Sequence, residues 1–284
     1  MSEISTVAVL GAGTMGHGIA QVGAMIGCLV RLFDANDSAT STGMDRIRDN
    51  LDKGIARGKL TKDVRDRTLE NITTTGSISE AVTGVDLVVE AAPEAIDLKE
   101  SIFAEVESAV PDHAILATNT SSLSIAQISS SLRNPSRFVG MHFFNPVHIM
   151  ALVEVVWGPQ TSDATLEAAV QFARRLGKEP IVVRDAPGFA SSRLGIVLGM
   201  EAIRMVEQGV ASPEDIDKAM ELGYRHPMGP LKLTDLVGLD VRLGIAEYLH
   251  DALGSDAFAP PNLLRQMVGE GKLGKKSGQG FYSW

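Results

Sequence analysis

The sequence predicts an α/β fold: a mostly parallel sheet with helices on both faces, followed by an all-helical C-terminal domain. Three observations predict it. Short β-branched runs alternate with helical stretches through the first 185 residues, the pattern of strands joined by crossover helices. A glycine-rich turn closes the first of those runs. After Pro187 and Gly188 no convincing strand remains.

The elements follow in order. "STVAVLGAG" reads as a strand closing on its glycine turn, and "TMGHGIAQVGAMIG" as a helix ending at Gly27. "LVRLFD" is the second strand, and a long polar amphipathic stretch fills residues 37–70. "ITTTGS" is a short third strand and "VDLVVEAA" a buried fourth. "PEAIDLKESIFAEVESAV" is a helix with Pro93 just before its start. "HAILATNT", "RFVGMHFF", "ALVEVVWG" and "EPIVVRDAPG" complete eight strands. The grammar then changes. "FASSRLGIVLGMEAIRMVEQG" is a long helix stopped by Gly209, and "SPEDIDKAMELG" begins with a Ser212 cap and Pro213 at the first helical position. "HPMGPLKLTDLVGLDVRLGIAEYLHDALG" and "PPNLLRQMVGEGKLG" are helical too. The boundary divides residues 1–185 from 186–284.

Composition narrows the function classes. No apolar run reaches the roughly 18 residues that span a membrane, and the N-terminus lacks a basic leader. The single cysteine, Cys28, lies in apolar "MIGCLV" and reads as packing; one cysteine permits no internal disulfide, which fits a reducing cytoplasm. A net charge of -9 disfavours nucleic acid and anionic lipid as partners. It leaves room for a phosphorylated small ligand at local basic clusters. Arg46, Arg48, Lys53, Arg57 and Lys59 form one and "KLGKK" at 272–276 another, each equally readable as a solvated surface.

The first turn, "GAGTMG", places Gly11, Gly13 and Gly16 in G-x-G-x-x-G spacing between a strand and a helix. That context marks a Rossmann-type dinucleotide site. Gly11 permits the turn, Gly13 lets backbone approach a pyrophosphate, and Gly16 lets helix pack on strand. Asp34 ends the second strand and is placed to accept the ribose hydroxyls. It would repel a 2'-phosphate, and the following Ala35 and Asn36 offer no arginine for one. The expected cofactor is NAD rather than NADP; FAD shares the fingerprint.

Glu154 lies among Leu152, Val153, Val155 and Val156, where a carboxylate needs a partner. His142 opens "HFFNPVHIMALVEVV". If the two strands lie side by side, the pair meets across them, and Glu154 fixes the tautomer and orientation of a general base. "TNTSSL" follows the fifth strand, so Asn119, Thr120, Ser121 and Ser122 fall beyond a carboxyl end, where ligands bind in such sheets. Together these residues describe alcohol oxidation: the base takes the hydroxyl proton while hydride goes to the cofactor. Duller readings stand beside this. The His–Glu pair could be structural, Ser121 or Ser122 could cap "LSIAQIS", and His142, His148 and Glu154 match no tight metal motif. No metal is expected.

These residues carry a family likeness. "GAGTMGHGIAQ", "VDLVVEA", "TNTSSLSI", "RFVGMHFFNPVHIMALVEVV", "DAPGFASSRLG", "HPMGPLKLTDLVGLD" and "GKLGKKSGQGFYSW" follow the order and spacing of the short-chain L-3-hydroxyacyl-CoA dehydrogenases. The chain resembles the bacterial 3-hydroxybutyryl-CoA enzymes of that family over essentially its whole length. The resemblance implies an NAD-binding domain and a helical substrate and dimerisation domain, with a homodimer. It implies that His142 is the base, Glu154 its orienting carboxylate and Ser121 a substrate contact. Glu94, Lys99, Asn119 and Asn145 would join Asp34 and the glycine turn as cofactor residues. Lys53 and Arg57 would meet the phosphates of an acyl-CoA substrate. One position departs: Ser192, in "PGFASSR", stands where the family usually has asparagine before the arginine. Serine has a shorter reach, which bears on substrate contact and acyl preference. A same-fold dehydrogenase of a hydroxy acid without CoA, or a non-catalytic NAD-binding protein, are the alternatives.

Overall fold

The computed structural model describes residues 3–284. The chain divides into two compact units, one ending at Ala186 and the other running from Pro187 to Trp284.

In the first unit, the apolar runs of the sequence become eight strands of one sheet. The chain order is β1 (Thr6–Leu10), α1 (Gly16–Met25), β2 (Leu29–Phe33), α2 (Asp37–Ala56), α3 (Lys62–Glu70), β3 (Ile72–Thr74), α4 (Ile78–Val82) and β4 (Leu87–Glu90). There follow α5 (Ile96–Ala109), β5 (Ile115–Thr118), α6 (Ile125–Ser129), β6 (Phe138–Phe143), β7 (Leu152–Trp157), α7 (Asp163–Arg175) and β8 (Glu179–Arg184). The strand order is β3-β2-β1-β4-β5-β6-β7-β8. From β1 the chain winds outward to β3, then returns past β1 to place β4 on its other side. The carboxyl ends of β1 and β4 therefore flank a topological switch point, where such sheets bind ligands. β1 to β6 are parallel; β7 runs antiparallel to β6, and β8 is parallel to β7. Every residue of β4, β5 and β6 is buried, as expected of strands covered on both faces.

The residues 37–70 form two helices, not one stretch. α2 starts where the Asn36 side chain accepts from Ser38 N–H, and α3 where Thr61 accepts from Val64 N–H; both satisfy orphan helix donors. α6 is capped by Ser124, which accepts from Gln127 N–H, and not by Ser121 or Ser122. Cys28 is buried in the core, where burial pushes its thiol upward.

The second unit contains α8 (Ser191–Glu207), α9 (Pro213–Gly223), α10 (Pro230–Val237), α11 (Leu239–Leu253) and α12 (Asn262–Gly269). Ser212 caps α9 with Pro213 inside it, as the sequence predicts. Gly238, at φ 106°, separates α10 from α11, because an L-residue cannot continue a helix through that conformation. Ile196, Met200, Ile203, Leu231, Leu239 and Leu249 form the core. Two buried acids secure the C-terminal tail. Asp235 accepts from Phe281 N–H, Tyr282 N–H and Trp284 Nε1 at 2.9 Å each. Asp217 accepts from Leu231 N–H at 2.8 Å and the Tyr282 hydroxyl at 2.7 Å. The motif "GQGFYSW" is thereby explained as anchorage. No helix among the described residues is long and apolar enough to cross a membrane.

Asp86 fastens the start of β1 to β4. Burial raises its pKa, but hydrogen bonds from the amides and hydroxyls of Ser5 and Thr6 outweigh it and hold it at about 2. A depressed carboxylate stabilises the folded chain above its unfolded value and loses that contribution as pH falls towards the folded one. Asp86→Asn is expected to lower stability by about 2 kcal/mol at neutral pH and to flatten the stability profile between about pH 4 and pH 2. Urea titrations at several pH values would show it; a variant with the parent's acid profile would contradict the assignment.

Candidate active site

The site is built at the carboxyl edge of the sheet. β1 ends at Leu10, and Gly11 takes φ 105°; a Cβ there would lie 2.6 Å from the Ala91 carbonyl oxygen. A Cβ on Gly16 would collide with the Gly11 carbonyl. Both glycines are thus required by the turn. Gly13 differs: nothing stands within 4 Å of its added Cβ, so its bareness opens space on the ligand side. Asp34, at the end of β2, accepts from Ala12 N–H at 2.7 Å and from Asn36 N–H at 3.0 Å. It holds the glycine turn while remaining in the wall of a cavity of about 800 Å³. Gly11, Gly13, Phe33, Asp34, Ala91 and Pro93 are among the lining residues. The cavity lies at the switch point, with an acid on β2 and an open glycine beside it, and fits a dinucleotide.

Next along the edge is a set of carboxylates at the ends of β4 and β5. Glu90 is fully buried. One oxygen accepts from Lys99 Nζ and Ala92 N–H at 2.6 Å each, and the other from the Thr118 hydroxyl at 2.6 Å. Lys99 is itself 1% exposed and lies 3.6 Å from Glu94. Lys99 therefore supports the site from beneath, engaged by protein carboxylates. Glu94 gathers the "TNTSSL" loop. Its Oε1 accepts from the Thr120 hydroxyl at 2.6 Å, from Ser121 N–H at 2.9 Å and from the Ser121 hydroxyl at 3.1 Å. Glu90 was not among the residues predicted from sequence. Its signal was present: a carboxylate ending the apolar run "VDLVVE".

The third part is His142. β5 and β6 pair with Thr118 opposite Gly140, so His142 lies level with the loop just past β5. Asn119 binds the two strands there, its Oδ1 accepting from Phe143 N–H at 2.8 Å. Across the antiparallel β6–β7 pair, His142 stands directly opposite Glu154, and directly opposed residues share one face of a sheet. His142 Nδ1 lies 2.7 Å from Glu154 Oε2. Glu154 is fully buried, and its oxygen beside Nδ1 orients the ring with the Nδ1 proton towards the carboxylate. The Phe144 ring packs on the imidazole at 4.4 Å between centroids. Asn145 is exposed in the following loop. Lys53 and Arg57 are exposed at the C-terminal end of α2. Ser192 is the second residue of α8, in the helical unit.

Comparison with known proteins identifies the family. The model of the 3-hydroxyacyl-CoA dehydrogenase NAD-binding domain matches residues 6–186, and that of the 3-hydroxyacyl-CoA dehydrogenase C-terminal domain matches 188–284. The chain belongs to the 3-hydroxyacyl-CoA dehydrogenase family. It is an NAD-dependent oxidoreductase of that family. A probable 3-hydroxybutyryl-CoA dehydrogenase of Bacillus subtilis is 43% identical over 282 residues, covering 99% of this chain and 98% of the relative. The crystal structure of (S)-3-hydroxybutyryl-CoA dehydrogenase from Ralstonia eutropha superposes with a TM-score of 0.95 at 41% identity, covering 99% of both chains. A diketoreductase acting on dicarbonyl compounds superposes at 0.86 with 29% identity over the full length of both.

Removing one member of a buried ion pair leaves the other charge uncompensated. Lys99→Met is expected to lower stability by about 3–5 kcal/mol, whereas Lys99→Met with Glu90→Gln recovers part of the loss. Denaturant unfolding of the single and double variants tests this. A single variant as stable as the parent would show the pair to be dispensable.

Proposed function

We propose that the chain interconverts short-chain L-3-hydroxyacyl-CoA, such as 3-hydroxybutyryl-CoA, and the 3-ketoacyl-CoA. The observation that carries this reading is the 2.7 Å contact between His142 and the buried Glu154, at the same sheet edge as the dinucleotide cavity. The short-chain acyl assignment is supported by the relatives' substrates, which are hydroxybutyryl thioesters.

The mechanism follows from the residues. Bound NAD supplies the hydride acceptor for C3 of the substrate. Glu154 holds the Nδ1 proton of His142, so Nε2 is the atom that takes the substrate hydroxyl proton. As the ring gains that proton it becomes cationic, and the carboxylate 2.7 Å away stabilises the charge that develops. In the reverse direction the same Nε2 returns the proton to the ketone oxygen. Ser121, held by Glu94, and Asn145 orient the substrate oxygen. Asp34 and the glycine turn hold the adenosine end of the cofactor, with Glu94 and Asn119 ordering the wall near the reacting end. Lys53 and Arg57 meet the CoA phosphates. The role of Ser192 in substrate contact rests on the family resemblance. We also infer a homodimer through the helical unit, because Leu233, Leu236, Val237 and Val241 leave about two-fifths of their surface exposed on α10 and α11.

Nicotinamide absorbance after mixing protein, NADH and acetoacetyl-CoA tests the reaction. Loss of NADH with the thioester, and not with NADPH or with unesterified acetoacetate, is the expected outcome. Equal activity on unesterified acetoacetate would remove the CoA assignment and favour a carrier-independent reductase. His142→Ala and Glu154→Gln are each expected to lower kcat at least 100-fold, the ordinary scale for a general base (~10²–10⁴), with NADH affinity nearly retained. Parallel loss of NADH binding would mean that the variants misfold, and the role assignment would fall.

A further inference from the structure

Asp185, the first residue of "DAPGF", follows β8 directly and stands one residue before the end of the first unit. Its backbone is fixed there, because its N–H donates to the Trp157 carbonyl at the end of β7 at 2.8 Å. Its side chain leaves the strand and reaches the start of α6. Oδ2 accepts from the Ser124 hydroxyl at 2.9 Å and from Ala126 N–H at 2.8 Å. α6 has only five residues, too few to hold itself by its own hydrogen bonds. Its first turn is seated from outside instead. A Cβ on Gly140 of β6 would lie 2.8 Å from Ile125 Cδ1, and one on Gly158, just after β7, 3.5 Å from Ile125 Cγ2. Those two contacts are apolar, and Asp185 supplies the polar one.

The other oxygen of Asp185 is unused. Oδ1 is buried and has no hydrogen-bond partner among the described residues. Glu90, by contrast, has donors on both oxygens. A buried acceptor left bare is a cost to stability, which is the pattern of a group retained for what it places. What it places is the end of the serine turn. Ser121 lies three residues before Ser124. The turn is pinned at its front by Glu94, which accepts from the Thr120 hydroxyl and from Ser121 N–H, and at its back by Asp185. Between the pins, Ser122 N–H and Leu123 N–H both donate to Thr120 Oγ1, at 3.3 and 2.9 Å. The segment is therefore tight, and a shift at one pin is carried to the other.

We propose that Asp185 is a positioning residue for the reaction: with Glu94 it fixes the turn from which Ser121 meets the substrate oxygen. The proposal rests on the reading that Ser121 orients that oxygen. Glu94 holds Ser121 itself, and Asp185 holds the end of the turn against the sheet. Without the second pin the turn pivots on Glu94. A displacement of the hydroxyl on the order of 1 Å is enough to cost up to about 10²-fold in rate.

The test is a double-variant cycle on the full chain, read as kcat/KM for reduction of acetoacetyl-CoA by NADH, with the Kd for NADH measured alongside. Asp185→Ala is expected to lower kcat/KM about ten-fold or more and to leave the Kd for NADH unchanged. Asp185→Asn keeps an oxygen for both donors and is expected to stay within about three-fold of the parent. In a Ser121→Ala background no hydroxyl remains to be placed, so Asp185→Ala should cost less than about two-fold there. A merely structural role would lower both backgrounds equally, because a loosened α6 harms either protein. Ser124→Ala removes one of the two donors and should show the same dependence on Ser121 with a smaller loss, about three-fold; it carries the test if Asp185→Ala folds poorly, which thermal unfolding reports. A loss that persists undiminished in the Ser121→Ala background would overturn the proposal. So would Asp185→Ala with the parent's kinetics, or a loss that comes from weakened NADH binding. A parent that does not reduce acetoacetyl-CoA, or a Ser121→Ala variant equal to the parent, would strike the underlying reading and the proposal with it. Additive losses in a working parent would strike only the role of Asp185.

Discussion

The site depends on one buried carboxylate and the histidine directly opposite it on the antiparallel strand. Glu154 is fully buried on a strand of valines, where an unpaired charge would cost several kcal/mol. The reversal of β7 supplies its partner. An antiparallel neighbour joined by a short loop can put residue 142 directly opposite residue 154. A parallel neighbour would need a long crossover and would set a different register. Met141 and Phe143, with Val153 and Val155, point to the opposite face and lie in the main hydrophobic core. The same alternation that buries those four side chains presents His142 and Glu154 together. A slip of one residue would exchange the two sets, so core packing enforces the register of the pair.

The neighbouring strand ends use the same device. Glu90 closes β4 as Glu154 interrupts β7, and each is satisfied by a group from another element. Lys99 comes from α5, Thr118 from β5 and His142 from β6. Glu94 then gathers the hydroxyls and amide of the following loop. Carboxylates held in this way act as fixed acceptors that determine where the donors stand. The position of Ser121 is thus set by Glu94, and through Lys99 by Glu90, so the polar edge behaves as one network.

How much of this was legible in the sequence differs from element to element. The eight strands and the helical second half were readable because both periodicities are strong, and the glycine turn because its context is specific. The His142–Glu154 contact was readable because a carboxylate inside an apolar strand demands a partner. Glu90 carries a similar demand, but it stands last in its strand, where a polar residue ordinarily marks a boundary. The break between α2 and α3 was hidden in a uniformly polar stretch whose only marks are Gly58 and the Thr61 cap. α4, five residues long, is too short to show a period. Ser124 displaced Ser121 and Ser122 as the α6 cap because Thr120 and Ser121 are held by Glu94.

The net charge of -9 also takes on a different meaning once the groups are located. Several acids are spent internally: Asp86 on the start of β1, Glu90 on Lys99, Glu154 on His142, and Asp217 and Asp235 on the C-terminal tail. These charges face protein donors and contribute little to the field outside. Lys53 and Arg57 on α2, by contrast, stand exposed. Bulk charge still disfavours extended polyanions such as nucleic acid, which would contact the whole surface.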